Sequence, residues 1–361
     1  MPFRVLVVDD SNFFQQRLKE IINQHPELEV IGVASNGRDA VEMATRLKPD
    51  IITMDFEMPV MDGVTAVRHI MRDRPTPILM LSSLTYEGAR VTLDALAAGA
   101  TDFMAKDFAE ISRSANSLSA KLHDRLLTLG RGARASASRV SSAAPSTSAT
   151  PARPAPTASP RPAASDRPGA LRRRFQLLVI GASTGGPVAL TEVLTKLPRN
   201  FPLPIVLVQH MPENFTKAFA ERLNRQSEIQ VREAVDGDRL EPGLALLAPG
   251  GKQLMVERRA QGVVKVLPDD ARVNYKPSLD ITFGSAANAY ADKVLGVVLT
   301  GMGSDGCKGA EMLKKAGSVI WSQDEATSII YGMPMAVARA NLTDQVLALP
   351  DIGPMLTREV M

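Results

Sequence analysis

The chain has 361 residues, of which 45% are hydrophobic and 22% are charged, close to the averages for soluble globular proteins. This length favours two domains, and no apolar run reaches the roughly 18 residues that a membrane-spanning helix needs. The single cysteine, Cys307, excludes an intrachain disulfide framework, and no signal-peptide pattern is visible. We therefore expect a cytoplasmic protein without membrane insertion.

The net charge of +3 comes mainly from residues 130–170, which contain six arginines, one aspartate and seven prolines. Val140 is the only large aliphatic residue of this segment. It cannot bury enough apolar area to offset the entropy of ordering, so we predict a disordered linker between two globular domains. The remainder of the chain is slightly acidic, which does not favour nucleic-acid binding.

Strand-like and helical segments alternate before the linker. The strand patterns are "RVLVVD", "LEVIGVA", "IITMD", "PILMLS" and "TDFMAK", and helical periodicity separates them, as in residues 13–23 and 37–47. This alternation predicts right-handed crossovers and a doubly wound, mostly parallel α/β sheet in a domain of residues 1–129.

Chemically reactive side chains follow these strands where each of them ends. Asp9 and Asp10 follow the first strand, Asp55 ends the third, Ser82 the fourth and Lys106 the fifth. Ligands of parallel sheets bind at this edge, and converging carboxylates favour a divalent cation, for which Mg²⁺ is suited. Asp55 is the best-placed residue to attack a phosphoryl group and form an acyl phosphate.

Each of these residues also has an ordinary structural explanation. Asp9 and Asp10 could merely cap a helix that begins near Ser11, and Lys106 could be a surface lysine. Their occurrence together on four strand ends favours a functional site.

The motifs "VLVVDDS", "DIITMDFEMPVMDG", "PILMLSS" and "AGATDFMAK" resemble the receiver domains of two-component response regulators over residues 3–107. The resemblance implies a flavodoxin-like fold in which a histidine kinase phosphorylates Asp55. It also implies two further groups of residues: Mg²⁺ ligands at Asp9, Asp10, Asp55 and the main-chain carbonyl of Glu57, and a phosphate switch of Ser82, Phe103 and Lys106. Asp107 stands where the family usually has proline; it adds a negative charge near the pocket and removes no reacting group.

The alternation of strands and helices resumes after the linker, at "FQLLVIGA", "LPIVLVQH", "VLGVVLTG" and "GSVIWSQ". We predict a second doubly wound, mostly parallel domain over residues 171–361. Residues 244–270 differ, because their apolar residues alternate with period two around turn residues. This pattern predicts antiparallel hairpins added to the sheet.

The stretch "GASTGG", residues 181–186, lies where the first strand of this half turns into a helix. It lacks the lysine of a Walker-type phosphate loop and the glycine spacing of a dinucleotide-binding fingerprint. It fits the G-x-S-x-G turn that presents a nucleophilic serine, which makes Ser183 the candidate. A purely structural turn of small residues is the alternative.

His210, the only histidine of the second half, ends the next strand, "PIVLVQH". A serine hydroxyl needs an adjacent general base, and near neutral pH that base is most often histidine. A carboxylate should orient the imidazole. Asp305, between the glycines of "GMGSDG", is favoured for this role, and Asp280 and Asp324 are the competing candidates.

The helix that begins at Pro187 should direct its N-terminal amides towards this site and help to stabilise an oxyanion. The main-chain N–H groups of Thr184 and Met302 are the candidate donors. The sequence order serine, histidine, aspartate differs from the common serine hydrolases, but geometry and not chain order defines a triad.

The motifs "VIGASTGGP", "VLVQHMPENFTKAFAERLN", "LAPGGK", "NYKPSLDITFGSAA", "VVLTGMGSDGCKGAEMLKKAG" and "QDEATSIIYGMP" resemble the effector domain of the CheB chemotaxis methylesterases over residues 175–340. The resemblance implies a Rossmann-like, cofactor-free domain that hydrolyses glutamyl methyl esters of chemoreceptors and deamidates receptor glutamines. Ser183 would be the nucleophile, His210 the base and Asp305 the orienting carboxylate. We expect a monomer that phosphorylation of Asp55 activates by uncovering Ser183.

Two departures from that family are expected to lie in substrate-facing loops. Glu213 and Asn214 stand where members commonly have Pro-Gly, and Gln253 stands where many have histidine. We expect these changes to affect receptor preference and rate more than reaction type.

Two other classes of protein remain as alternatives. A phosphorylation-controlled binding module would do no chemistry, and an active-serine probe that labels Ser183 only when His210 is present would exclude it. A DNA-binding response regulator would need a basic helix-turn-helix, which the β/α alternation and low charge of the second half do not favour.

Overall fold

The computed structural model describes residues 1–106, 115–142, 175–258, 262–268 and 275–361. These residues form two α/β domains, each built on a parallel sheet, which confirms the predicted doubly wound architecture. No helix in these ranges has the length and apolar character needed to cross a membrane.

The first domain has the strand order β2-β1-β3-β4-β5, and all neighbouring strands are parallel. Its elements in chain order are β1 (Phe3–Val8), α1 (Asn12–Asn23), β2 (Leu28–Ala34), α2 (Gly37–Leu47), β3 (Ile51–Asp55), α3 (Gly63–Asp73), β4 (Ile78–Ser82), α4 (Tyr86–Ala97) and β5 (Asp102–Ala105). Every residue of β3 and β4 is buried, as expected for central parallel strands covered on both faces. The reactive residues named above therefore lie at one edge of this sheet.

A long helix, α5 (Ala115–Ser142), follows β5 and packs on the first domain. Leu122, Leu126 and Leu129 are buried in one cluster with residues of β1 and α1. A Cβ atom on Gly130 would lie 2.6 Å from the Phe3 ring, so the helix needs glycine for this approach.

The predicted disordered linker, residues 130–170, therefore begins inside a helix. Helix α5 continues to Ser142, so residues 130–142 of that segment are helical. The preceding leucines of the helix pack on the first domain. Residues 143–170 lie outside the described residues, so the domain boundaries remain predictions.

The second domain has the strand order β14-β13-β12-β6-β7-β9-β8, again with parallel neighbours. Its elements before residue 270 are β6 (Leu177–Ala182), α6 (Gly186–Leu194), β7 (Ile205–Gln209), α7 (Glu213–Gln226), β8 (Gln230–Glu233), β9 (Leu244–Leu247), β10 (Gln253–Glu257) and β11 (Val263–Leu267). The later elements are α8 (Leu279–Tyr290), a 3₁₀ turn (Ala291–Lys293), β12 (Val294–Val298), α9 (Cys307–Lys315), β13 (Val319–Gln323), α10 (Met333–Arg339), β14 (Gln345–Leu347) and α11 (Leu349–Val360).

The predicted hairpin is present, but it does not extend the main sheet. Strands β10 and β11 pair antiparallel as a separate two-stranded sheet. Strand β9, which we had expected in a hairpin, pairs parallel with both β7 and β8. All four residues of β9 are buried, as expected for a strand covered on both faces of the sheet. Such a short apolar run does not indicate whether the strand pairs parallel or antiparallel.

The two domains contact each other through α4 and α7. Asn214 donates from Nδ2 to the carbonyl oxygen of Leu84 at 2.8 Å. Further along the same helices, Tyr86 bonds to Glu221 and Arg222 pairs with Asp94. Strand β5 of the first domain also contacts the second domain, through Asp102 at Thr184 and Phe103 at Phe215.

Candidate active site

Ser183 lies in the turn between β6 and α6. Its main-chain N–H donates to the carbonyl oxygen of Thr300 at 3.0 Å, and its carbonyl oxygen accepts from Gly186 N at 2.8 Å. Gly185 has a φ of +77°, a left-handed conformation that favours glycine. A Cβ atom on Gly181 would lie 2.1 Å from Leu279, so this position has no space for a side chain. The "GASTGG" glycines thus shape the turn, as predicted.

Gln209 joins this turn to the neighbouring strand, a role that sequence reasoning missed. Its Nε2 atom donates to the carbonyl oxygens of Ser183 at 2.9 Å and His210 at 3.2 Å. The side chain is almost fully buried, and a Cβ atom on Gly186 would lie 2.0 Å from its Oε1. The only available signal was a polar residue inside an otherwise apolar strand.

His210 follows β7, and its imidazole bonds to Asp305. The Nε2 and Oδ2 atoms are 2.7 Å apart. Because an ionised carboxylate can only accept, Nε2 carries the proton in the neutral imidazole and Nδ1 carries the lone pair. Nδ1 is buried and has no hydrogen-bond partner among the described residues. Ser183 and His210 line the same cleft.

Asp305 lies at the N-terminus of α8, in the loop after β12. Its Oδ1 accepts from Ser278 Oγ at 2.8 Å and from Asp280 N at 3.1 Å, and its Oδ2 accepts from Leu279 N at 2.7 Å. Burial acts to raise the pKa of Asp305, but hydrogen bonds from His210 and these amides outweigh it, and the pKa lies below its ordinary value. The carboxylate is therefore ionised at neutral pH.

The two competing carboxylates have other partners. Asp280 accepts from Gly309 N at 2.7 Å, at the start of α9, and burial raises its pKa. Asp324 accepts from the main chain and hydroxyl of Thr327. Asp305 is thus the candidate that contacts His210, among the three that the sequence left open.

The two candidate oxyanion donors occupy different positions. Thr184 is buried beside Ser183 and lines the cleft. Met302 instead lines a neighbouring cavity of about 350 Å³ together with Gly303 and Tyr331. The donor role of both main-chain N–H groups stays a prediction.

Residues of the first domain form one wall of the cleft, whose volume is about 650 Å³. Thr184 donates from Oγ1 to Asp102 Oδ2 at 2.8 Å, and the same carboxylate pairs with Arg125 on α5. A carboxylate from β5 is thus bonded to the residue next to Ser183. Sequence reasoning missed Asp102, because no motif signals a contact between domains.

Phe103, next to Asp102, also contacts the second domain. Its ring stacks on that of Phe215 in α7, with 4.7 Å between centroids and 6° between planes. The residue predicted as the switch aromatic is therefore buried in the domain interface.

The residues of the predicted phosphorylation site lie together near the carboxyl end of β5, whereas Asp102 lies at its beginning. Ligand atoms of Asp9, Asp10 and Asp55 lie within 4.8 Å of one another, a spacing that could hold a metal ion. Lys106 Nζ lies 2.7 Å from Asp9 Oδ2 and 2.8 Å from Asp55 Oδ2. Burial raises the pKa of Asp55, and Lys106 opposes this effect.

The remaining residues of this site differ in position. Ser82 is fully buried, and its hydroxyl bonds with Thr92 at 2.7 Å and Gly88 in α4. Glu57 is exposed beyond the end of β3. Asp107 lies outside the described residues.

Two family matches cover most of the chain. Residues 178–356 match the family described as CheB methylesterase, and residues 5–113 match the response regulator receiver domain. A protein-glutamate methylesterase/protein-glutamine glutaminase of Pseudomonas aeruginosa is 60% identical over 98% of both chains. One from Pseudomonas putida is 57% identical over 99% of both.

This chain belongs to the CheB methylesterase family.

A solved structure agrees with this assignment for the second half of the chain. The CheB methylesterase catalytic domain of Thermotoga maritima is 40% identical, with a TM-score of 0.50. The match covers 52% of this chain and 99% of the solved domain. The domain of this CheB-family protein that carries Ser183 therefore has the methylesterase fold.

Gln253, one of the two positions at which this CheB-family chain departs from the common pattern, does not lie where we expected it. Gln253 does not face substrate: only 2% of it is exposed, on β10. Its Nε2 donates to Tyr275 O at 2.7 Å, and its Oε1 accepts from Ser278 N at 2.8 Å. The expectation of a substrate-facing Gln253 is wrong, because the hairpin folds back and buries this residue under the loop before α8.

The other departure lies at the cleft. Glu213 and Asn214 are exposed, and both line the cleft at the start of α7. Asn214 is already bonded to Leu84 of the first domain. The effect of this pair on receptor preference stays a prediction.

Proposed function

We propose that this protein is a phosphorylation-activated serine hydrolase that demethylates glutamyl methyl esters on chemoreceptors and deamidates selected receptor glutamines. The observation that carries the proposal is the His210–Asp305 hydrogen bond in a cleft shared with Ser183, in a chain whose close relatives bear this enzyme name. Chemoreceptors are the substrates, and adaptation in chemotaxis-type signalling is the biological result.

In the first half-reaction, Ser183 is the nucleophile. Its hydroxyl proton passes to Nδ1 of His210, and Oγ forms a bond with the ester carbonyl carbon. Asp305 stabilises the imidazolium through the Nε2 hydrogen bond. The main-chain N–H groups of Thr184 and Met302 are the proposed donors to the oxyanion. Collapse of the intermediate breaks the bond to methoxide, which takes the proton from His210 and leaves as methanol.

In the second half-reaction, water cleaves the acyl-enzyme. His210 removes a proton from the water, whose oxygen bonds to the acyl carbon, and Ser183 leaves with that proton. The product is a glutamate side chain. A glutamine amide follows the same course, except that ammonia replaces methanol as the leaving group.

The receiver domain would regulate this chemistry through Asp55, which a histidine kinase would phosphorylate. Mg²⁺ would be held by Asp9, Asp10, Asp55 and the main-chain carbonyl of Glu57, and it would offset the charge of the carboxylates and the phosphoryl group. The acidic cluster and the adjacent Lys106 support this assignment. Ser82 and Lys106 would contact the phosphoryl oxygens once the group is present.

Activation would occur by removal of the receiver domain from the cleft. In the unphosphorylated chain, the bond between Asp102 and Thr184 and the stack of Phe103 on Phe215 cover the region around Ser183. Movement of Ser82 and Phe103 towards a phosphoryl group on Asp55 would weaken that stack. We propose that the protein acts in the cytoplasm as a monomer.

The decisive experiment measures methanol release from methylated chemoreceptors in membranes, with a small-molecule phosphodonor present. Ser183→Ala should lower the rate by at least about a thousandfold, since the nucleophile is removed. Ser227→Ala, at the end of α7, is the control and should retain the wild-type rate. Undiminished release by Ser183→Ala would refute the proposed role of this serine.

A further inference from the structure

The ring of Tyr275 lies parallel to the imidazole of His210. The two ring centroids are 4.4 Å apart and the planes differ by 10°. Tyr275 belongs to the segment before α8 and lines the cleft with Ser183. None of the catalytic roles assigned above includes it.

The orientation of the His210 imidazole is held by a hydrogen bond at only one of its two ring nitrogens. Asp305 holds Nε2, but Nδ1 is buried without a hydrogen-bond partner in the described part of the chain. The ring can rotate about the Nε2 contact, which changes the direction in which Nδ1 points. A flat side chain against one face limits that rotation and also keeps water from that face.

Tyr275 is itself held in place by Gln253. The buried amide of Gln253 donates to the carbonyl oxygen of Tyr275 and accepts from the N–H of Ser278. Ser278 in turn donates from Oγ to Asp305. One short segment therefore carries both the ring that packs on His210 and a hydrogen-bond donor to Asp305.

The hydroxyl end of the tyrosine ring lies close to Gly303. A Cβ atom on Gly303 would lie 2.7 Å from the Tyr275 hydroxyl, so this hydroxyl lies directly over the glycine of the Asp305 loop. Burial, and then the charge of Asp305, raise the pKa of Tyr275, so the phenol is neutral at neutral pH and does not act as a base. Its contribution is the position of its ring.

We infer that Tyr275 is a positioning residue for the hydrolysis, which sets the plane of the His210 imidazole so that Nδ1 faces Ser183, and that Gln253 fixes the main chain of Tyr275 for this purpose. The inference rests on the proposed function, because it assigns His210 as the base. It adds a residue that acts through His210 and does not touch the reacting atoms.

The test uses the full-length protein with Tyr275→Phe, Tyr275→Leu and Tyr275→Ala variants. Phenylalanine keeps the flat ring and is the matched control, whereas leucine keeps volume without a flat face. Three readouts are measured: kcat and KM for methanol release with phosphodonor, the pH dependence of Ser183 labelling by a fluorophosphonate, and the ¹⁵N resonances of the His210 ring. The chain has only four histidines, which makes these resonances assignable.

Tyr275→Phe should stay close to wild type in all three readouts. Tyr275→Ala and Tyr275→Leu should lower kcat and the labelling rate about ten- to a hundredfold, since small misplacements of a catalytic group cost about this much, with KM little changed. Their His210 ring resonances should shift and broaden because the ring samples more than one orientation, while the Asp305 contact keeps the proton on Nε2. The pH dependence of labelling should shift, because the base is no longer held in one environment.

The inference is overturned if Tyr275→Ala keeps wild-type kcat and labelling, if Tyr275→Phe loses as much as Tyr275→Ala, or if the His210 resonances do not change. Leucine serves as the second variant if alanine destabilises the fold. Wild-type protein that labels at Ser183 but releases no methanol would contradict the proposed substrate alone, because labelling and resonances still report on the position of His210.

Discussion

At the scale of single residues, the Asp305 carboxylate accepts four hydrogen bonds. Its two oxygens accept from the His210 ring, the Ser278 hydroxyl and two main-chain N–H groups at the start of α8. Amides at a helix N-terminus favour negative charge, so this arrangement holds the aspartate ionised and the imidazole in one tautomer. The same contacts connect catalysis to stability.

Asp305 should make stability depend on pH in the acidic range. Its pKa is lowered in the folded protein, so its stabilisation is fully present above the unfolded-state pKa of about 3.9 and is lost as pH falls through the lower folded-state pKa. We expect the difference in free energy of unfolding between wild type and Asp305→Asn to shrink as pH falls from 6 towards 3. Urea titrations at each pH measure it.

Asp280 provides a control with the opposite sign. Burial raises its pKa, so the folded protein binds this proton before the unfolded chain does, and its contribution to stability grows as pH falls towards 4. The difference between wild type and Asp280→Asn should therefore move in the other direction. A parallel pH trend for both variants would contradict the assignment of the two carboxylates.

At the scale of secondary structure elements, β5 connects the phosphorylation site to the cleft. Its first residue, Asp102, bonds to Thr184, its second, Phe103, stacks on Phe215, and Lys106, just beyond its end, pairs with Asp55. A strand is stiff along its length, so a change at Lys106 can alter the contacts at Asp102. Helix α5 reinforces this element through Arg125.

Removing the Asp102 carboxylate should partly release the cleft. We expect Asp102→Ala to raise methanol release by the unphosphorylated protein about fivefold, the equivalent of one hydrogen bond of about 1 kcal/mol, and to leave the phosphorylated rate unchanged. Glu20→Gln, on the exposed face of α1, is the control and should change neither rate. A lower rate for Asp102→Ala without phosphodonor would show that this contact supports catalysis and does not restrain it.

At the scale of the whole molecule, the receiver domain and the hydrolase domain share the wall of one cleft. Occlusion of this kind requires that the second domain be more active alone. The isolated fragment 171–361 should exceed the unphosphorylated full chain in methanol release, and a phosphodonor should raise the rate of the full chain but not that of the fragment. Equal rates for fragment and unphosphorylated full chain would exclude occlusion as the mode of control.

Much of this molecule can be predicted from local patterns. The strands that precede Asp9, Asp55, Ser183 and His210 are buried apolar runs, and parallel sheets place their carboxyl ends at one edge, so the site residues could be named in advance. The parallel pairing of β9 and the helical start of the linker could not be predicted. Short apolar runs do not specify their partners, and α5 continues because its leucines dock on a distant strand.

The sequence by itself determined the two α/β domains, the candidate nucleophile and base, and the acidic cluster, because each depends on residue type and on periodicity along the chain. Only the tertiary structure showed which of Asp305, Asp280 and Asp324 contacts His210, and only it placed Asp102 and Tyr275 beside the cleft. Tyr275 lies 65 residues after His210 in the chain, yet their rings are stacked. Contacts between residues so far apart depend on how loops and domains pack, which no local pattern encodes.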